Sequence, residues 1–160
     1  MTASEDVNRP ENRNGLSFPT SHDEVILWLT KNLQFIASQD GLDPTKTSSI
    51  YAPEATVHFS NYPVILGAEK IEEMVAARFA RLSLIHHTRR YFNLAGSRLW
   101  AVFDVRYRVK GDPSGEEFLV PGACVFTLAE HGDHKGKITE LEIFMDQTAV
   151  ENRMKDVVKE

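Results

Sequence analysis

At 160 residues, 42% hydrophobic and 26% charged, the chain has the composition of an ordinary globular domain, long enough to bury a core without disulfides or a structural metal. A net charge of −5 with dispersed basic residues argues against nucleic acid and anionic membranes as partners, and no apolar run approaches the roughly 20 residues that span a bilayer. Its one cysteine, Cys124, excludes an internal disulfide and a multi-cysteine zinc site, and the N-terminus lacks an apolar signal core, so a cytoplasmic setting is expected.

Residues 1–20 are polar and aperiodic and read as a disordered leader, with Leu16 and Phe18 as its only docking points. Residues 21–155 read as one domain and 156–160 as a tail. Ser21 and Glu24 form an S-x-x-E capping box ahead of a wide apolar helical face that includes Trp28, Leu29, Phe35 and Ile36 and runs to Gly41. Asp43-Pro44 opens a second, short helix that ends near Tyr51, because Pro53 cannot continue it. A strand over 55–60 is broken at Asn61-Tyr62-Pro63 and followed by a short one over 64–66. A third helix over 68–82 then places Ile71, Met74, Val75, Phe79 and Leu82 on one face.

The centre of the chain is a β-ribbon. Residues 86–93 are rich in β-branched and aromatic types and turn at Ala95-Gly96-Ser97 into a strictly alternating strand over 99–109. Leu99, Ala101, Phe103, Val105, Tyr107 and Val109 face one way; Trp100, Val102, Asp104, Arg106 and Arg108 face the other. Strands over 117–129 and 137–145 follow, with Phe118, Val120, Gly122, Cys124 and Phe126, then Leu141, Ile143 and Met145, on the apolar side. Asp146 is placed to cap a closing helix over 147–155. The order predicts an α+β fold in which a strongly curved antiparallel sheet packs on about three N-terminal helices and encloses an interior pocket.

IYAPEATVHF at 50–59, LGAEKI at 66–71 and GKITELEIFMD at 136–146 resemble, in order and spacing, the nuclear-transport-factor-2-like superfamily and its SnoaL-like polyketide cyclases, isomerases and dehydratases, over about residues 23–154. The resemblance implies a cone-shaped fold, a cavity between the concave sheet face and the helices, no cofactor or metal, and often a homodimer through the outer sheet face. Where steroid isomerases of this fold carry a tyrosine, an aspartate and a further acid, this chain places Phe35, Phe59 and Cys124, so that mechanism is excluded. Scytalone-dehydratase-like members carry a histidine about where His86 and His87 stand; their second strand histidine has no counterpart here.

Adjacent residues of a strand face opposite sides, so one of His86 and His87 looks into the pocket; a bulge decides which, and the sequence leaves it open. That imidazole is the candidate general acid or base, and Tyr107 the candidate donor to an enolate oxygen. Expected around the substrate are Trp28, Phe35, Tyr51, His58, Phe59, Tyr62, Phe103, Val120, Cys124, Leu141 and Met145, although core packing accounts for most of them as well. Arg89 and Arg90 suit either a carboxylate ligand or an ion pair with Asp104 or Glu142. Metal-ligand spacing is absent among the six histidines. The reading is a cofactor-free cyclase, isomerase or dehydratase acting on a hydrophobic carbonyl compound. The alternatives are a non-catalytic ligand-binding or dimerisation module and, less favoured, an oxygenase accessory subunit.

Overall fold

The computed structural model describes residues 22–158; the predicted leader and its docking points, the capping residue Ser21 and the last two residues lie outside them. Helix α1 (His22–Asp40) ends where the Gly41 amide donates to the Ala37 carbonyl at 2.9 Å and Leu42 takes a left-handed φ of 51°. That conformation costs a leucine some strain, and its side chain packing on the core offsets it. Asp43 accepts from the Thr45 amide at 3.0 Å, with Pro44 at the first position, and opens a 3₁₀ turn (Pro44–Lys46) that runs into α2 (Thr47–Ile50).

Strand β1 (Tyr51–Phe59) starts earlier than the predicted residue 55 and includes Pro53. The register slips between Tyr51 and Thr56, so the proline sits in an irregular stretch where no ladder bond is required of it. After β2 (Ile65–Leu66), Gly67 at φ 96° opens α3 (Ala68–Phe79), which buries Ile71, Val75 and Phe79. Leu82, predicted as the end of that helix, is the first residue of β3 (Leu82–Ala95). Gly96-Ser97, with Gly96 at φ 63°, turns β3 into β4 (Arg98–Val109). Strands β5 (Glu117–Leu128) and β6 (Ile138–Met145) lead to α4 (Thr148–Val157), which extends past the predicted domain end and whose first amide, on Thr148, donates to Asp146 at 3.0 Å.

The six strands run in the order β2-β1-β6-β5-β4-β3. β1 pairs with β6 in parallel and every other pair is antiparallel, so the curved sheet is mixed rather than wholly antiparallel. It does not close on itself: β2 and β3 are its edges. Connectivity permits the parallel pairing, because β1 and β6 are joined by most of the fold rather than by a hairpin.

The concave face carries the predicted alternating set: Leu99, Phe103, Val105 and Tyr107 from β4, Val120, Cys124 and Phe126 from β5, and Leu141 from β6 are buried against Trp28 and Phe35 of α1, Ile71 of α3 and Val150 of α4. The convex face exposes Tyr91, Trp100, Leu119 and Phe144, with Arg90 3.5 Å from Asp104 and Arg106 and Arg108 both paired with Glu117.

Candidate functional site

The histidine pair is resolved by register. His87 stands opposite Val105 and shares the concave face with Ile85 and Tyr107, while His86 stands opposite Arg106 on the convex face. Their side chains are 11% and 47% exposed respectively. β3 is irregular both upstream of the pair, between Leu82 and Leu84, and downstream, between Arg89 and Tyr91, which is why counting from either strand end cannot assign the faces.

Asp40, the last residue of α1, fixes His87. Its Oδ1 lies 2.6 Å from the His87 Nδ1, and the same carboxylate accepts from the His87 backbone amide at 3.1 and 3.3 Å. With Nδ1–H donating to the carboxylate, Nε2 is left as the basic nitrogen. Burial pushes the imidazole below its ordinary pKa, against the opposing pull of Asp40, so the ring is neutral and able to accept a proton at pH 7. The Phe103 ring packs edge-on against it at 5.4 Å and limits its tilt.

Tyr107 lies diagonally across the β3–β4 ladder from His87, a separation of roughly 7–8 Å for such pairs, and both line one small cavity. Its hydroxyl accepts from the buried Gln147 amide at 3.1 Å, and the Arg78 guanidinium lies over its ring at 5.4 Å, so its own hydrogen is free to point at a ligand. Burial raises the phenol's pKa more than Arg78 and Gln147 lower it, which keeps it a protonated donor.

His87, Tyr107 and Arg78 supply polar groups to a cavity of about 60 Å³, walled by Phe35, Tyr51, Phe59, Cys124, Leu141 and Met145 among others. That holds about two waters at roughly 30 Å³ each, and no carbon skeleton. Met145 is one of the side chains that fill this space. It lies over Gly122, where a Cβ would meet the Met145 Cγ at 2.3 Å, so the mid-strand glycine makes room for this side chain. Burial pushes the Cys124 thiol up to about 12, which leaves it protonated and no nucleophile. Burial likewise raises the Tyr51 phenol.

Next to the cavity is a vestibule of about 390 Å³ lined by Phe59, Tyr62, Pro63, Ile65, Met74, Arg78 and Glu151. Phe59, Met74 and Arg78 line both spaces and therefore form the partition between them. At the vestibule Tyr62 donates to Glu151 at 2.6 Å, joining the β1–β2 loop to α4. Of the remaining sequence candidates, Trp28, Phe103 and Val120 are buried in the core without lining either space. His58 is on the convex face, 3.9 Å from Glu140.

Asp40, Arg78 and Gln147 are additions that sequence reasoning did not reach. Asp40 had one local signal: it is an acid in the last turn of a helix with no basic residue there, where the dipole disfavours negative charge by about 0.3–1 kcal/mol. Among the described residues no cluster of three His, Cys, Asp or Glu is placed to hold a metal ion, and no helix is long and apolar enough to cross a membrane.

No protein-family model matches the chain, and no curated protein matches its sequence. Solved structures do. A protein named as a candidate SnoaL-like polyketide cyclase from Jannaschia sp. CCS1 superposes with a TM-score of 0.67 at 19% identity, covering 81% of this chain and 92% of its own. TsrD from Streptomyces laurentii gives 0.64 at 17% identity over 85% and 98%. TerC, co-crystallized with polyporic acid, gives 0.64 at 18% identity over 81% and 98%. The fold is that of the SnoaL-like and nuclear-transport-factor-2-like proteins.

Proposed function

We propose that this chain, built on the SnoaL-like fold, is a cofactor-independent enzyme that moves a proton on a hydrophobic, polyketide-like or aromatic carbonyl compound. The observation that carries the reading is the 2.6 Å contact between Asp40 and a buried, inward-facing His87 that lines the same cavity as Tyr107. The His87 Nε2 takes the proton from the carbon next to the carbonyl, and the C–H electron pair moves into an enolate whose oxygen accepts from Tyr107. Return of the proton from His87 to another carbon isomerises the compound; its delivery to a β-hydroxyl, which leaves as water while the enolate electrons form the C=C bond, dehydrates it; and attack of the enolate carbon on a second carbonyl, whose oxygen takes the proton, cyclises it. Phe35, Tyr51, Phe59, Cys124, Leu141 and Met145 are the substrate's apolar surroundings, with Tyr62 at the outer mouth. Two chains pair through the convex sheet face at Trp100, Leu119 and Phe144. Neighbours named as polyketide cyclases support this class of chemistry.

The test is solvent exchange. Aromatic 1,3-diketones incubated with the protein in D₂O are expected to lose their acidic C–H signal by NMR faster than in buffer, and His87→Ala is expected to remove the acceleration. Equal exchange with the wild type and with His87→Ala, both folded, would overturn the reading. The small size of the cavity favours a second one, a non-catalytic module of the same fold; the absence of any exchange across the panel would support it.

A further inference from the structure

Arg78 is a cation without a carboxylate partner among the described residues. It sits in the last turn of α3, where a positive charge suits the helix dipole, yet its side chain leaves the helix end to lie over the rings of Tyr107 at 5.4 Å and Phe59 at 6.0 Å. Its hydrogen bond goes to a neutral group, the Gln147 side-chain oxygen. A guanidinium has five N–H donors in a planar fork, a geometry matched to a carboxylate. Glu151, the acid that lines the same vestibule, accepts from the Tyr62 hydroxyl and makes no ion pair with Arg78 among the described residues.

The position matters as much as the charge. Arg78, Met74 and Phe59 form the partition between the vestibule and the small cavity at His87. The vestibule volume of about 390 Å³ falls in the range of roughly 300–1,000 Å³ typical of small-molecule sites, whereas the cavity behind it does not. Of the three partition residues, Met74 is unbranched and able to re-pack, while Arg78 is held by Gln147 and lies over two rings.

We propose that the vestibule and Arg78 together form a subsite for an apolar acid, whose carboxylate is taken by the Arg78 fork while its hydrocarbon body lies against Phe59, Ile65 and Met74. The inference deepens the acid/base reading and rests on it for direction: a substrate anchored at Arg78 presents its remaining carbons toward His87 and Tyr107. The substrate class is thus narrowed to carbonyl compounds that also carry a carboxylate. Neutral analogues of the same shape leave the guanidinium desolvated without compensation.

Binding of 2-naphthoate and of its neutral isostere 2-naphthamide, measured by calorimetry on the wild type, tests this. Naphthoate is expected to bind at least about tenfold more tightly, the ratio for a single charge-assisted contact. Arg78→Gln is expected to bring the two ligands to within about twofold, and Arg78→Lys to keep part of the preference. In the wild type the Arg78 Nε–Hε resonance is expected to move with naphthoate and stay with naphthamide, a readout that needs no variant to fold. Equal binding of the two ligands, failure of both to bind, a preference that survives in folded Arg78→Gln, or an unmoved Nε–Hε resonance would overturn the proposal. His87→Ala separates the two readings: it is expected to abolish exchange and leave the naphthoate preference intact. Preference without exchange sinks the acid/base reading alone; exchange without preference sinks the Arg78 subsite alone.

Discussion

His86 and His87 are adjacent in sequence and both lie near the Asp40 carboxylate, at 3.8 and 2.6 Å, yet they belong to different environments. His87 is enclosed, hydrogen-bonded through one nitrogen and held neutral by burial; His86 is half exposed among the charges of the convex face. Residue type alone does not make a base. The side of the pleat, the supply of a carboxylate and the exclusion of water do.

The largest expected difference is therefore between the two alanine variants. His87→Ala should lower exchange by about 10²–10⁴-fold, the contribution of a positioned base, while His86→Ala should change it by less than about twofold. Comparable losses in both would erase the contrast.

Asp40→Asn sharpens it. The amide still fills the space but can hold the ring in the wrong tautomer, so a fall of at least about tenfold is expected. The wild-type rate should rise with pH through a pKa below the ordinary 6.5 and then level off, since the base must be neutral. Because Asp40 raises that pKa, its loss should move the rising limb to lower pH while the plateau drops. The sign for stability follows from the same depression: the contribution of the neutral ring is complete above about 6.5 and is lost as pH falls toward the folded-state value, which a titration of thermal midpoints would show.

A smaller effect is expected at the cavity wall. Gly122→Ala drives a Cβ into Met145 and should cost about 1–3 kcal/mol in denaturant unfolding, and Met145→Ala added to it should recover much of that loss. Additive losses would mean that the two do not compete for one space. The smallest effect on exchange is expected from Trp100→Glu on the convex face, which should convert a dimer into a monomer by light scattering and leave the rate within about twofold. A monomeric wild type would remove that face as an interface.

The fold was largely legible because it is written in local periods. The alternation from Leu99 to Val109 and the runs through Phe118–Phe126 and Leu141–Met145 each assign a face residue by residue, and the buried set follows them. What escaped was non-local. The parallel pairing of β1 with β6 joins segments about eighty residues apart. Asp40 meets His87 across a separation of 47 residues, and Gln147 meets Tyr107 across 40. The bulges of β3 hide parity from any count that begins at a strand end. Met145, a wall of the cavity, lies over Gly122, a contact that no periodicity encodes.

The irregularities on either side of the histidine pair carry a consequence for ancestry. Because side chains alternate along the strand, one codon inserted or deleted just upstream of the pair, with the pairing otherwise kept, would exchange the two imidazoles, sending the outer one inside and the inner one to solvent. A single genetic event of that kind would keep the silhouette and remove, or create, the proposed base.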